Sequence, residues 1–270
     1  MMRILANDVH YHVEVLGKGE PLLFLHGFTG DTSTWEEITQ QLTEHYQCIL
    51  IDIIGHGKTE SPERYERYMI EQVADDIKNI LDQLNISKVS IIGYSMGGRL
   101  GLTFALLYPE LIHRLILESS TPGLANEEKR KERREADSKL ADSIEKNGVE
   151  AFINYWENIS LFSTQKKLPL EKRRAIRQQR LSQNPTGLSN SLRGMGTGSQ
   201  PSWWHRIGDI SFPFMMIVGG KDIKFCQIAD SMKELNQNLV IKTIDSAGHA
   251  NHVEEPRKFG KIIREFLLIT

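Results

Sequence analysis

A serine hydroxyl is a poor nucleophile and a poor base at neutral pH. It becomes useful when an imidazole takes its proton and a carboxylate holds that imidazole. This chain of 270 residues carries all three parts. Ser95 sits in Gly93-Tyr94-Ser95-Met96-Gly97, a G-x-S-x-G pattern. Before it the apolar run 89–92 reads as a short buried strand, and after it the apolar series 100–107 reads as a buried helix. Only a tight turn fits between them, so the hydroxyl stands at the mouth of a sheet above a helix N-terminus, where the dipole and free N–H groups favour negative charge. Asp222 follows Gly219-Gly220 and the strand-like run 213–218, and His249 follows Gly248 and the run 239–244. The order Ser, Asp, His, each in a loop after a strand, points to proton removal or nucleophilic attack by Ser95, primed by His249 and Asp222.

Two residues compete for these roles. Glu118, at the end of the predicted strand 112–117, is a second possible acid, and His252 a second possible base. The glycine turns favour Asp222 and His249. His249 and His252 form H-x-x-H, which lacks the helical i,i+4 spacing and the carboxylate partner of a zinc site, so no metal is expected. Arg99 lies four positions after Ser95, one helical turn along the same face, with Gly97 and Gly98 leaving room beside it. A guanidinium so placed either pairs with a carboxylate of the body or presents a fork to a substrate carboxylate.

Around these residues the chain alternates strand and helix. Strands are expected at 10–15, 21–25 and 48–51. Helices are expected over 34–43, with Trp35, Ile38 and Leu42 inward, over 68–84, and over 256–268 at the end. That alternation implies an α/β protein with a mostly parallel sheet. It stops over 121–205, where charged helix-forming residues are broken near Gly148, at Pro169, over 184–187 and over 194–201. Residues 1–120 and 206–270 therefore read as two parts of one core, and 121–205 as an inserted cap of two to four helices. Phe152, Ile153, Tyr155, Trp156 and Phe162 would pack the cap onto the core, at least one of them lining the pocket beneath.

The formal net charge of −2 argues against general nucleic-acid affinity. Its distribution is uneven: 121–205 holds 15 Lys and Arg against 10 Asp and Glu, leaving 18 against 25 elsewhere. A basic cap on an acidic body suits either a solvated helical surface or an anionic substrate. The polar N-terminus does not read as a signal peptide and no run reaches membrane-spanning length, so a cytoplasmic protein is expected. Cys48 and Cys226 are isolated and expected to be buried thiols. Gly57-Lys58-Thr59 resembles the end of a phosphate loop, but Asp52 stands where the first glycine is needed, which excludes that motif.

With these residues in place, the whole chain resembles the α/β-hydrolase superfamily. More narrowly it is similar to the 2-succinyl-6-hydroxy-2,4-cyclohexadiene-1-carboxylate synthase family of menaquinone biosynthesis. The matching stretches are Leu25-His26-Gly27-Phe28-Thr29-Gly30, Gly93 through Arg99, Thr121-Pro122-Gly123-Leu124, Asp222 with Lys224-Phe225, and Gly248-His249 with His252. Ile54 before Gly55-His56-Gly57 departs from the residue common in relatives without touching the chemistry. The resemblance implies an α/β-hydrolase fold with a helical cap and a lyase that eliminates pyruvate without a cofactor. It implies an oxyanion hole from the backbone N–H groups of Phe28 and Met96, with His26 orienting the Phe28 loop. It also implies substrate binding by Tyr94, Arg99, Arg133, Trp156 and Arg180. In the cap, Arg130 or Arg134 could replace Arg133, and Arg177 could replace Arg180. The implied partner is a small polycarboxylate. A carboxylesterase or carbon–carbon bond hydrolase working through an acyl-enzyme is the alternative that the triad alone leaves open.

Overall fold

Apolar runs too short for helices and closed by glycine or polar turns become strands. Among the residues that the computed structural model describes, 2–268, eight such runs form one sheet. They are β1 (Met2–Ala6), β2 (Val9–Leu16), β3 (Glu20–Leu25), β4 (Tyr46–Ile51), β5 (Val89–Tyr94), β6 (Ile112–Glu118), β7 (Phe214–Gly219) and β8 (Val240–Ile244). Their order across the sheet is β1-β2-β4-β3-β5-β6-β7-β8. β2 runs antiparallel to β1 and β4, and every other pairing is parallel. Buried along their whole lengths, β5 and β7 are central strands that deliver residues to the C-terminal edge, where open α/β sheets bind ligands.

The helices are α1 (Glu36–Thr39), α2 (Ile70–Gln83), α3 (Met96–Leu107), α4 (Glu127–Trp156), α5 (Leu170–Leu181), α6 (Pro185–Met195), α7 (Ile223–Leu235), α8 (Asn251–Glu254) and α9 (Pro256–Leu267). Successive strand residues point to opposite faces, so each central strand feeds two cores. Leu23, Leu25 and Ile91 pack against Val73 and Ile77 of α2 and Leu100 and Phe104 of α3. Leu22, Phe24 and Ile92 pack against Trp35, Ile38, Leu42 and, from α9, Phe259 and Ile263.

The strand-to-helix turn at Ser95 depends on close backbone approach. A Cβ built on Gly97 would lie 2.2 Å from the Leu25 carbonyl oxygen and 2.5 Å from that of His26. Backbone of a central strand cannot give way, so Gly97→Ala is expected to destabilise the fold by about 3 kcal/mol and lower Tm by about 10 °C. Thermal melting followed by circular dichroism checks this; an unchanged Tm would contradict it.

Between β6 and β7 lie α4, a 3-10 stretch Ser160–Lys167, α5 and α6. Gly148 breaks α4 with φ 79° and ψ 169°, a left-handed backbone that a side chain resists. Ala141, Ile144, Phe152, Ile153, Leu188 and Leu192 form a small core here, with Phe28 of the body and Trp156 packed against it.

Several expectations need correction. β1 was not anticipated; its residues pair with β2, and alternate ones are buried. The helix expected over 34–43 is a 3-10 turn, Thr32–Trp35, running into the single turn of α1. Threonines at 32, 34, 39 and 43 are weak helix formers, and a chain of tight turns buries Trp35, Ile38 and Leu42 equally well. Tyr155 is exposed and takes no part in the cap's packing core, and Cys226 is half-buried, its Sγ 3.5 Å from the Gly219 carbonyl. No described helix is long and apolar enough to cross a membrane.

Candidate active site

Ser95 follows β5 and immediately precedes α3, with φ 49° and ψ −103°. A non-glycine residue held there stores roughly 1–3 kcal/mol of strain. The fold sustains it because Ser95 N–H donates to the Glu118 carbonyl at the end of β6 (2.9 Å), and Arg99 N–H returns to the Ser95 carbonyl (3.0 Å). Asp222 sits just before α7, on a turn closed by its own N–H to the Gly219 carbonyl (2.9 Å). The adjacent Lys221 N–H donates to the Ala247 carbonyl (3.0 Å), which ties this turn to the loop carrying His249.

Three loops thereby bring three side chains into line. His249 Nδ1 lies 2.7 Å from Asp222 Oδ2, and His249 Nε2 lies 3.0 Å from Ser95 Oγ. A carboxylate only accepts, so Nδ1 donates, and Nε2 of a neutral ring is left to accept the Ser95 O–H. Phe225 packs against the His249 ring at 4.7 Å between centroids, with Tyr94 at 5.5 Å. The backbone N–H groups of Phe28 and Met96 have no partner among the described residues, and both residues line the Ser95 pocket. Donors left open beside a serine can receive an oxyanion.

The rival acid and base are partners of each other. Glu118 accepts from His252 Nδ1 (2.7 Å) and from the His252 backbone N–H (3.0 Å), both side chains being buried. The His252 ring packs edge-on against Tyr94 at 4.7 Å, and tilted by 32° against Trp35 at 4.5 Å. This pair lies behind Tyr94 and braces the elbow and the His249 loop. His26 accepts from the Ile53 N–H through Nε2 (2.9 Å) and donates through Nδ1 to the Gly27 carbonyl (2.8 Å). It therefore fixes the loop that presents Phe28, as its sequence context suggested.

The cavity above Ser95 has a volume of about 200 Å³. Arg99, Arg133 and Lys224 line it and no carboxylate does. Arg99 is 9 % exposed and has no ion-pair partner among the described residues. Its Nη1 donates to the Met195 carbonyl (2.6 Å) and to Gln200 Oε1. Burial and the nearby Arg133 lower its pKa to about 10. Arg133 Nε donates to Asp137 Oδ1 at 2.8 Å. Trp156 also lines the cavity, and its Nε1 is buried without a partner among the described residues. Tyr94 lines it as well, with burial, the largest cause, and the negative charge of Glu118 raising the phenol well above its ordinary range, so it is a neutral donor.

Not every implied cap residue reaches this cavity. Arg130 and Arg134 turn to the carbonyls of the 198–200 loop and to Glu127. Arg177 is held by Glu157 and Asn154 at the surface. Arg180 is buried over the Phe162 ring at 4.7 Å and donates to Gln165 Oε1 (3.1 Å). It lines a recess on the cap and a small cavity beside Tyr94 and Phe28, and not the cavity above Ser95. Sequence reading missed Gln200, Asp137 and the Gly196-Thr197 wall. Asp137 alone left a signal, its i,i+4 spacing from Arg133. Among the described residues no cluster of His, Cys, Asp or Glu is placed to hold a metal ion.

His56 packs between His26 (5.2 Å, tilted) and Phe28 (5.7 Å, edge-on), and Nδ1 donates to the Ile54 carbonyl (3.1 Å). Burial, with the neighbouring His26 adding to it, lowers its pKa from 6.5 to about 3, and burial lowers that of His26 too. The unfolded chain therefore binds more protons as pH falls. Stability is complete above about pH 6.5 and declines below it, by up to about 1.4 kcal/mol per pH unit from His56. Urea unfolding at pH 7, 6 and 5 checks this. His56→Asn is expected to flatten the profile by about that slope, and an unchanged profile would contradict the assignment.

The comparisons agree with this geometry. The family model described as the alpha/beta hydrolase fold matches residues 20–256. A protein of Bacillus subtilis (strain 168) named putative 2-succinyl-6-hydroxy-2,4-cyclohexadiene-1-carboxylate synthase is 48 % identical over 97 % of this chain and 96 % of its own. The solved structure of MenH from S. aureus is 38 % identical with a TM-score of 0.90, covering 96 % of this chain and 97 % of that one. A malate-bound thermophilic esterase from Thermogutta terrifontis is 26 % identical with a TM-score of 0.87, covering 98 % and 97 %. On fold, elbow and these likenesses together, the chain belongs to the α/β-hydrolase family and, within it, to the 2-succinyl-6-hydroxy-2,4-cyclohexadiene-1-carboxylate synthase family.

Proposed function

We propose that this protein is a carbon–oxygen lyase that eliminates pyruvate from 2-succinyl-5-enolpyruvyl-6-hydroxy-3-cyclohexene-1-carboxylate, with Ser95, His249 and Asp222 as its catalytic residues. The observation that carries this reading is the charge of the cavity: three cationic side chains and no carboxylate surround a histidine-primed serine. The substrate has three carboxylates, on the ring, the succinyl arm and the enolpyruvyl group. A pocket of one sign attracts such a ligand, and guanidinium forks orient it.

The bond changes follow from the two structures. The substrate has its ring double bond at C3 and the product has a 2,4-diene, so the proton leaves C2 and the enolpyruvyl oxygen leaves C5. C2 is acidic because it adjoins the succinyl ketone. His249, held by Asp222, takes the Ser95 proton as Ser95 Oγ takes the C2 proton. The negative charge that develops on the ketone oxygen is received by the Phe28 and Met96 N–H groups. The double bond shifts, C5–O breaks, and the enolpyruvate leaves and is protonated to pyruvate. Arg99, Arg133 and Trp156 bind the substrate, with Tyr94 donating from the wall. Arg180 acts from the adjoining cavity through the Phe162 side. No step calls for a cofactor.

The rival reading makes Ser95 a true nucleophile in an esterase or carbon–carbon bond hydrolase, and the likeness to the Thermogutta esterase favours it. Mixing the purified protein with the cyclohexene substrate and following pyruvate separates them. The lyase reading expects stoichiometric pyruvate. No pyruvate together with a rapid burst on simple esters would replace it with the hydrolase.

A further inference from the structure

Asp137 lies on α4 one turn after Arg133, and the elimination makes no use of it. It is 3 % exposed. Oδ1 accepts from Arg133 Nε (2.8 Å), while Oδ2 is buried and has no partner among the described residues. Gly196 lines the Ser95 cavity, and a Cβ on that glycine would come within 2.6 Å of Oδ2. The other charged group that feels Asp137 is Arg99, from α3. On its own helix, Arg130 and Arg134 turn to Glu127 and the 198–200 loop. On α6, Arg193 is held by Asp142 and Glu145. On α5, Arg177 faces Glu157 and Arg180 faces Phe162.

One carboxylate is thus shared by the two arginines that line the cavity. In the empty protein it offsets part of their charge. A bound polycarboxylate supplies that charge instead and leaves Asp137 as a surplus anion in a wall that water cannot reach. We infer that Asp137 is a proton-coupled counter-ion, ionised in the free protein and protonated on Oδ2 when a polycarboxylate occupies Arg99 and Arg133. The proton comes from the buffer and no other bond changes. Burial already pushes this carboxyl above its ordinary value, so the ligand needs to move it only part of the way. The inference rests on the polycarboxylate reading above.

The test uses the full chain with Ser95→Ala, which blocks turnover, titrated calorimetrically with the cyclohexene substrate at pH 7.5 in phosphate and in Tris. These buffers differ in ionisation enthalpy, so the difference in heat counts protons. Uptake of about 0.5–1 proton is expected, with the dissociation constant rising by up to about tenfold per pH unit above that pH, the limit for one linked proton. Adding Asp137→Asn keeps the acceptor for Arg133 and is expected to abolish the uptake and flatten the pH dependence. Aspartate carboxyl carbon resonances in the Ser95→Ala protein give a reading without the second substitution: one signal moves upfield on saturation. Binding without uptake, equal uptake in the Asp137→Asn protein, or no moving signal would overturn the inference alone. No binding at all would remove the polycarboxylate reading with it.

Discussion

Replacing Ser95 with alanine is expected to lower kcat for pyruvate release by about 10³-fold while KM stays within about threefold. The hydroxyl stands 3.0 Å from His249 Nε2 at the floor of the cavity and passes the C2 proton to it. Without it the imidazole is left one atom short of the C2 proton. The binding arginines and the Phe28 and Met96 donors remain, so residual turnover above the uncatalysed rate is expected from positioning and the oxyanion hole alone. A steady-state pyruvate assay measures this. A loss under about tenfold would mean that another base removes the proton, and Ser95 would lose its role.

Arg99→Ala is expected to lower kcat/KM for pyruvate release by about 10²-fold. A charge-assisted fork is worth about 1.5–3 kcal/mol, and each 1.4 kcal/mol is a factor of ten. Arg99 also holds the Met195 carbonyl and Gln200, so its removal loosens the cap loop over the site. A control separates the two effects. Hydrolysis of a small neutral ester by the same protein needs the Ser95 machinery but no carboxylate fork, and is expected to change by less than about threefold. Equal losses on both substrates would point to damaged folding. Arg99→Lys is expected to recover little, because a point charge does not replace a planar fork.

What the sequence reveals of the site is what local chemistry forces. A strained serine between strand and helix needs glycines on both sides, and the two loops that meet it each need a tight turn. Ser95, Asp222 and His249 are therefore legible from spacing, and the sheet from the alternation around them. Pairings that depend on through-space partners are not. Glu118 and His252 are separate candidates in the sequence and a single buried hydrogen-bonded pair in the fold. Arg133, Arg130 and Arg134 are equivalent on paper, and only the rotation of α4 turns Arg133 into the cavity. Arg180 lies over the Phe162 ring, a through-space contact that spacing does not encode. β1 lay hidden because its residues, Met2-Arg3-Ile4-Leu5-Ala6, are held by pairing with β2 more than by their own pattern.

The central claim is that Ser95 works as a base in an elimination that consumes no water. The measurement that tests it most directly is turnover of the cyclohexene substrate in H2 18O, with the ring and succinyl products read by mass spectrometry. The account predicts the 2-succinyl cyclohexadiene product at unlabelled mass, formed in step with pyruvate. Succinate carrying one 18O, released by cleavage beside the ketone, would contradict it and make Ser95 the nucleophile of a hydrolase.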